Sequence, residues 1–270
     1  MFRRVLSLLL TLGAVAAPAT AADEVPNANE IIERTIAAAG GKAFTDIGVL
    51  KLEVSQEETH KDGTRTIKTY TVYVDTGNLE NQRLEMPNEL VIANHGAGGW
   101  STTAGILDDR PQTKVRAKRS LNQTLFPLLL PHSLKMEGVR ADQVRDTTLE
   151  GRKVWAVSLP FSKGFFNSPV LTTTWLMVVA QDDYSLLSLD FVPPPQYRDI
   201  SPEGIRYRVL THQDVQGAKI PAQLLLAAIS PNGQESGHVR VTKIKSSVHG
   251  SWDPTLFLSP QELDFLEKDD

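Results

Sequence analysis

Cysteine is missing from all 270 residues, which excludes disulfides, thiolate metal ligands, a cysteine nucleophile and a lipid-bearing cysteine at a mature N-terminus. Histidine is sparse. The six, His60, His95, His132, His212, His238 and His249, show no H-x-H or H-E-x-x-H spacing, so no local metal-ligand set is encoded and no cofactor is expected. There is no G-x-S-x-G elbow, the context a serine hydrolase of that type requires. Beyond residue 21 no apolar run approaches the roughly 20 residues a spanning helix needs, and no low-complexity linker divides the chain.

What is present begins with MFRRVLSLLLTLGAVAAPATA: two arginines, an apolar run from Val5 to Ala17, and Ala19-Thr20-Ala21 as an A-x-A cleavage site. This reads as a secretory signal peptide over residues 1–21. Residues 22–270 then form a single exported domain, expected in the periplasm. Cleavage removes two arginines and no acid, taking the formal charge from −4 to −6. Nucleic acid is not an expected partner of so acidic a chain.

The mature part opens with a helix signal, PNANEIIERTIAAAGGKAF. Asn27 can cap it with Glu30 three residues on, Ile32, Ile36 and Ala39 share a face, and Gly40 can adopt the left-handed end. Thereafter the period changes to two. In GVLKLEVSQEE, Leu50, Leu52 and Val54 alternate with polar residues; in TRTIKTYTVYVDTG, Tyr70, Val72 and Val74 share a face. HKDGTR supplies the turn between them. Nine further strand-like segments separated by Gly, Asn, Asp or Pro clusters bring the expectation to about eleven strands in an antiparallel meander. SLNQTLFPLLLPHSL reads as a short buried helix ending near Leu130, VPPPQYRDISPEG as a proline-rich loop, and SPQELDFLEKDD as a terminal helix capped by Ser259. The fold class expected is α+β: a large curved antiparallel sheet whose apolar face is covered by helices from the start, middle and end of the chain.

The order of ANEIIERTIAAAGGKAF, GGW, LEGRKVWAVSL, AQDDYSLLSLDF and HQDVQGAKIPAQLLL resembles that of the periplasmic lipoprotein-localisation-factor (LolA/LolB-like, outer membrane lipoprotein-sorting) superfamily, over most of the mature chain. The resemblance implies an incomplete β-barrel closed by helices around an apolar cavity for acyl chains.

Four sets of residues are candidates for function. His95 with Gly96, Gly98 and Gly99, in NHGAGGWSTT, could offer backbone donors to an oxyanion, but Asn94 to Gly99 reads better as a hairpin connection. The acidic pairs Glu57–Glu58, Asp108–Asp109 and Asp182–Asp183 fall at turns or strand ends, since adjacent strand residues face opposite ways. KVRAKRS carries Lys114, Arg116, Lys118 and Arg119, with Arg116, Lys118 and Arg119 as the candidate partner surface. The apolar strand faces carry the main hypothesis. Tyr70, Val72, Trp100, Trp155, Trp175, Met177, Phe191 and Leu224 either pack a closed core or line a site for a lipid, an acyl chain or a lipidated protein. The function expected is therefore a non-catalytic hydrophobic-ligand carrier. A sensor or scaffold binding a periplasmic or membrane protein is the alternative, and a hydrolase lacks a coherent nucleophile and base.

Overall fold

A computed structural model describes residues 25–60, 62–96, 98–108, 110–166, 174–191, 193, 204–230, 234–250 and 253–266. The expected signal peptide and nearly all of the proline-rich segment after Phe191 lie outside these residues.

The chain enters through α1 (Ala28–Ala38) and α2 (Gly41–Thr45). The Asn27 carboxamide accepts from Glu30 N, as the capping pattern requires. Gly40 between the two helices has φ +81°, and a Cβ there would lie 2.3 Å from the Gly217 carbonyl oxygen. The helix junction thus docks directly on a distant hairpin turn, and Lys219 N donates to Ala39 O beside it.

The strands follow in chain order: β1 (Val49–Thr59), β2 (Arg65–Asp75), β3 (Gln82–Glu85), β4 (Leu90–His95), β5 (Gly98–Thr103) and β6 (Ile106–Leu107). After α3 (Pro111–Leu128) and a 3-10 turn (His132–Lys135) come β7 (Val144–Leu149), β8 (Arg152–Pro160), β9 (Thr174–Ala180), β10 (Leu186–Phe191), β11 (Gly204–Val215), β12 (Ala218–Ile229) and β13 (Glu235–Val248). A second 3-10 turn (Pro254–Phe257) and α4 (Pro260–Leu266) close the described chain.

All thirteen strands join one antiparallel sheet in the order β6-β5-β4-β3-β2-β1-β13-β12-β11-β10-β9-β8-β7. The sheet does not close, because its first and last strands, β6 and β7, pair on one side only. It is an α+β incomplete barrel, as expected, with two strands beyond the eleven read from the sequence. Both extra strands escape periodicity for a physical reason. The β6 strand has only two residues, and the edge strand β7, VRDTTL, buries no face, so selection for alternating apolar residues is absent.

The register puts Leu50, Leu52, Val54, Tyr70, Val72 and Leu84 on one face of the first half of the sheet. The same face continues through Leu224, Tyr207, Leu189, Met177 and Val157. This inner face is filled by helices. Ile31, Ile32 and Ile36 of α1 pack with Val157, Leu159, Trp175 and Met177. Leu121, Leu125 and Leu128 of α3 pack with Leu52, Val72, Leu84 and Leu224.

Three expectations are corrected. The middle helix starts at Pro111, nine residues before Ser120, because Thr113, Ala117, Leu121, Leu125 and Leu128 form a buried stripe at helical spacing and Pro111 suits a first turn. The terminal helix forms, with Ser259 N donating to Glu262 and Glu262 N donating to Ser259 Oγ, but it covers nothing: α4 buries no residue and Phe265 is 71% exposed. Pro221 sits in a strand flanked on both sides. It is tolerated because β12 begins its ladder with β13 only at Gln223.

Candidate functional site

The eight apolar residues singled out from the sequence separate into seven and one. Tyr70, Val72 and Leu224 belong to the cluster under α3, whereas Trp175, Met177 and Phe191, with Trp155 at its margin, belong to the cluster under α1. The six other than Trp155 are buried, Val72 and Met177 completely. Trp175 stacks on Phe191 at 5.5 Å and on Tyr207 at 5.8 Å. The indole N–H groups of both Trp155 and Trp175 are enclosed without a hydrogen-bond partner, an arrangement that native interiors rarely leave standing.

Trp100 is on the other side of the sheet. Its neighbour Gly99 faces α3, so alternation sends the indole outward. There it donates to the Phe257 carbonyl oxygen at 2.9 Å, and Arg83 lies over the ring at 5.8 Å. Arg83 also donates to Leu256 O. The C-terminal turn, with Phe257 fully buried, is the outer cover of β3 and β4. The sequence signal that could have separated Trp100 from the others is Gly99 itself, whose face must be bare for a helix to approach.

That approach is close. A Cβ on Gly99 would lie 2.8 Å from both Ala117 Cβ and Lys114 O. The stretch NHGAGGWSTT is indeed a hairpin connection, with His95 paired to Gly98, Gly96 takes the positive φ of its turn, and Gly99 serves the β5–α3 contact.

Between α3 and the inner face a cleft of about 630 Å³ remains open. Its apolar walls are Ile67, Tyr70, Leu84, Met86, Pro127 and Tyr207. Tyr70 and Tyr207 belong to the two different interior clusters, so the cleft abuts both. Sequence reasoning found Tyr70 but missed Tyr207 and Leu84, because the cleft exists only where β2, β3, β11 and α3 converge. Burial drives the phenols of Tyr70 and Tyr207 above the ordinary range and keeps both neutral.

The basic run lies on α3, where the helical period spreads it. Arg116 is exposed. Lys118 contacts Glu80 at 2.7 Å and Glu137 at 3.5 Å, and Arg119 donates to Gly164 O. Lys114, Lys118 and Arg119, with Arg140 and Lys163, border a second cleft of about 500 Å³ that holds Glu137 as its acid.

Other candidates disperse. His132 is buried against Phe44, ring on ring at 4.0 Å, with Nε2 facing Lys219 O. Asp182 and Asp183 hold Arg152 at a turn, and Asp109 lies outside the described residues. Among the described residues no three His, Asp or Glu side chains gather for a metal ion, and no helix is long and apolar enough to cross a membrane.

No protein-family profile matches the chain, and no curated protein does. Solved structures do, and three of them match over most of the chain. A LolA superfamily protein from Nitrosomonas europaea is 12% identical with a TM-score of 0.57, covering 87% of this chain and 98% of its own. A DUF1329 family protein from Desulfovibrio piger is 8% identical with a TM-score of 0.55, covering 87% and 98%. A domain described as an outer membrane lipoprotein-sorting protein, from Vibrio parahaemolyticus, is 9% identical with a TM-score of 0.53, covering 88% and 99%. At these identities the likeness is one of backbone. The chain has the incomplete-barrel fold shared by the LolA superfamily, DUF1329 and lipoprotein-sorting structures.

Proposed function

We propose that the protein is a non-catalytic periplasmic binder of a hydrophobic ligand: a lipid, an acyl chain, or the acylated part of a lipidated protein. The observation that carries this reading is the cleft of about 630 Å³ between α3 and the inner face. Its volume lies within the roughly 300–1,000 Å³ of small-molecule sites, and Tyr70 and Tyr207 connect it to the apolar interior. The unpaired indole N–H groups of Trp155 and Trp175 are donors that an ester or amide carbonyl of an acylated ligand can satisfy. The signal-peptide reading of residues 1–21 supports export.

Mechanistically, the cleft is the port and the interior is closed. Each methylene transferred from water contributes about 0.8 kcal/mol, so a chain lying in the cleft gains affinity at once. Deeper insertion along Val72 and Leu224 requires α3 to lift, since its leucines occupy that space, and reaching Trp175, Met177 and Phe191 also requires the α1 isoleucines to give way. Hydrogen exchange in residues 113–128 should then change on ligand binding. The primary test is native mass spectrometry with lipid extraction on protein purified from its own periplasm. Co-purifying acyl species are expected; a uniformly empty protein that also takes up no added lipid removes the carrier reading.

A second reading rests on the basic cleft beside α3, where Lys114, Lys118, Arg119, Arg140 and Lys163 outnumber Glu137. Here an acidic protein partner docks on α3, with the exposed Arg116 beside it. Charge reversal at Arg116 and Arg119 should weaken such a complex; binding indifferent to both reversal and salt eliminates it.

A further inference from the structure

The cleft under α3 has a charge pattern that a tail-only site does not need. Arg240, on the inner face of β13, and Lys68, on β2, both line it, and no aspartate or glutamate does. The guanidinium of Arg240 lies beside the Tyr207 hydroxyl and acts electrostatically on Tyr70 as well. Its Nε is enclosed without a hydrogen-bond partner.

Four other arginines of the sheet are neutralised. Arg206 is held by Asp190, Arg208 by Glu235, Arg83 by Glu85 and Arg65 by Glu57. Among the described residues Arg240 forms no ion pair. Glu58 stands opposite it in the β1–β13 register and does not line the cleft. Gln56, the next inward residue on that face of β1, lines the cleft and donates to the Tyr70 hydroxyl. A half-buried cation flanked by aromatic rings, in a cleft lined by no acid, is a favourable seat for an anion, and a guanidinium suits the two oxygens of a carboxylate or phosphate.

We propose that the cleft selects amphiphiles with an anionic head, carboxylate or phosphate, seated on Arg240 with Lys68 as the outer cation, and with the chain running over Tyr70, Leu84, Pro127 and Tyr207. This rests on the hydrophobic-binder reading and adds head-group selection to it. The tyrosines, being neutral, can donate their hydroxyls to the same head.

The test is displacement of a neutral naphthylamine fluorophore from the full mature chain by four 16-carbon amphiphiles: hexadecanoate, hexadecyl phosphate, hexadecanol and hexadecyltrimethylammonium, each below micelle formation. At least one of the two anions should bind about tenfold more tightly than the alcohol, with the ammonium weakest, and which anion leads distinguishes a fatty-acid head from a phosphate head. Arg240→Gln should remove the advantage of the anion over the alcohol, read as the ratio of the two affinities in the same variant. Arg240→Lys should keep part of the preference, and an unchanged urea midpoint in either variant shows that the fold persists. Equal affinities in the wild type, or a preference that survives Arg240→Gln, overturn head-group selection and leave the binder reading intact. Failure of all four chains to bind overturns both.

Discussion

The indole N–H of Trp100 donates to the backbone carbonyl of Phe257 across 2.9 Å and 157 residues of chain. This bond fastens the C-terminal turn to the outer face of β4 and β5, and with the buried Phe257 ring it seals a patch that would otherwise be solvated. Phe257→Ala should destabilise the protein by about 3–5 kcal/mol. Trp100→Phe, which loses the bond and part of the buried ring volume, should cost about 2–3 kcal/mol. Urea unfolding measures both. Neither should alter the affinity for an acyl ligand, because both lie outside the barrel; a loss of affinity in Trp100→Phe at intact stability would place Trp100 back in the site.

Gly99 sets the distance between α3 and β5. Gly99→Ala inserts a methyl 2.8 Å from Ala117 Cβ and Lys114 O, both on a helix backbone that cannot yield locally. The expected outcome is a loss of about 1–3 kcal/mol and faster hydrogen exchange over residues 113–128. If α3 is the element that lifts for ligand, the same variant should take up the fluorophore faster.

His132 makes stability depend on pH. Burial, aided by Lys135 and His212, lowers its pKa to about 4 against the backbone acceptor at Lys219, which raises it. The unfolded chain holds a histidine near 6.5, so between about pH 6.5 and 4 the unfolded state binds the extra proton. Its contribution is complete above pH 6.5 and declines as the pH falls toward 4, by a total on the order of 3 kcal/mol. His132→Gln, which retains a donor for Lys219, should flatten the urea midpoint across this window. A slope identical to wild type would assign the dependence elsewhere.

Arg206 and Asp190 form a two-pronged pair on the outer face, with Nε at 2.9 Å and Nη2 at 2.7 Å from the carboxylate, and Asp190 is buried. Arg206→Met leaves that carboxylate without its main partner and should cost about 2–3 kcal/mol, moderated by the partial exposure of Arg206. Adding Asp190→Leu should recover most of the loss, since replacing both partners removes the orphaned charge. Denaturation of the two single variants and the double variant gives the coupling directly.

Much of the architecture was legible from alternation and turn chemistry. Leu50, Leu52, Val54, Tyr70, Val72 and Val74 announced their shared face because a strand buried on one side must alternate. The hairpin at Gln216–Gly217, both with positive φ, was marked by its glycine. The first nine residues of α3 were hidden by their charges, although Thr113, Ala117 and Leu121 kept the helical stripe. Seven of the eight apolar residues proposed for the site do share the inner side, because they lie on strands of clear period.

The sequence by itself determined which residues must leave water and which strands can pair, since both follow from local periodicity and from glycine's freedom at turns. Only the tertiary structure decided which side of the sheet is inside. Gly99 is bare because a helix that begins twelve residues further on rests against it, and that contact turns Trp100 outward. Likewise Arg240 is an unremarked cation in VRVTKIK until β13 sets it on the wall of a cleft, beside two tyrosines from β2 and β11 and without a carboxylate to neutralise it. Charge and burial at a site are properties of what converges there, and convergence between residues so far apart in the chain is written in no local pattern.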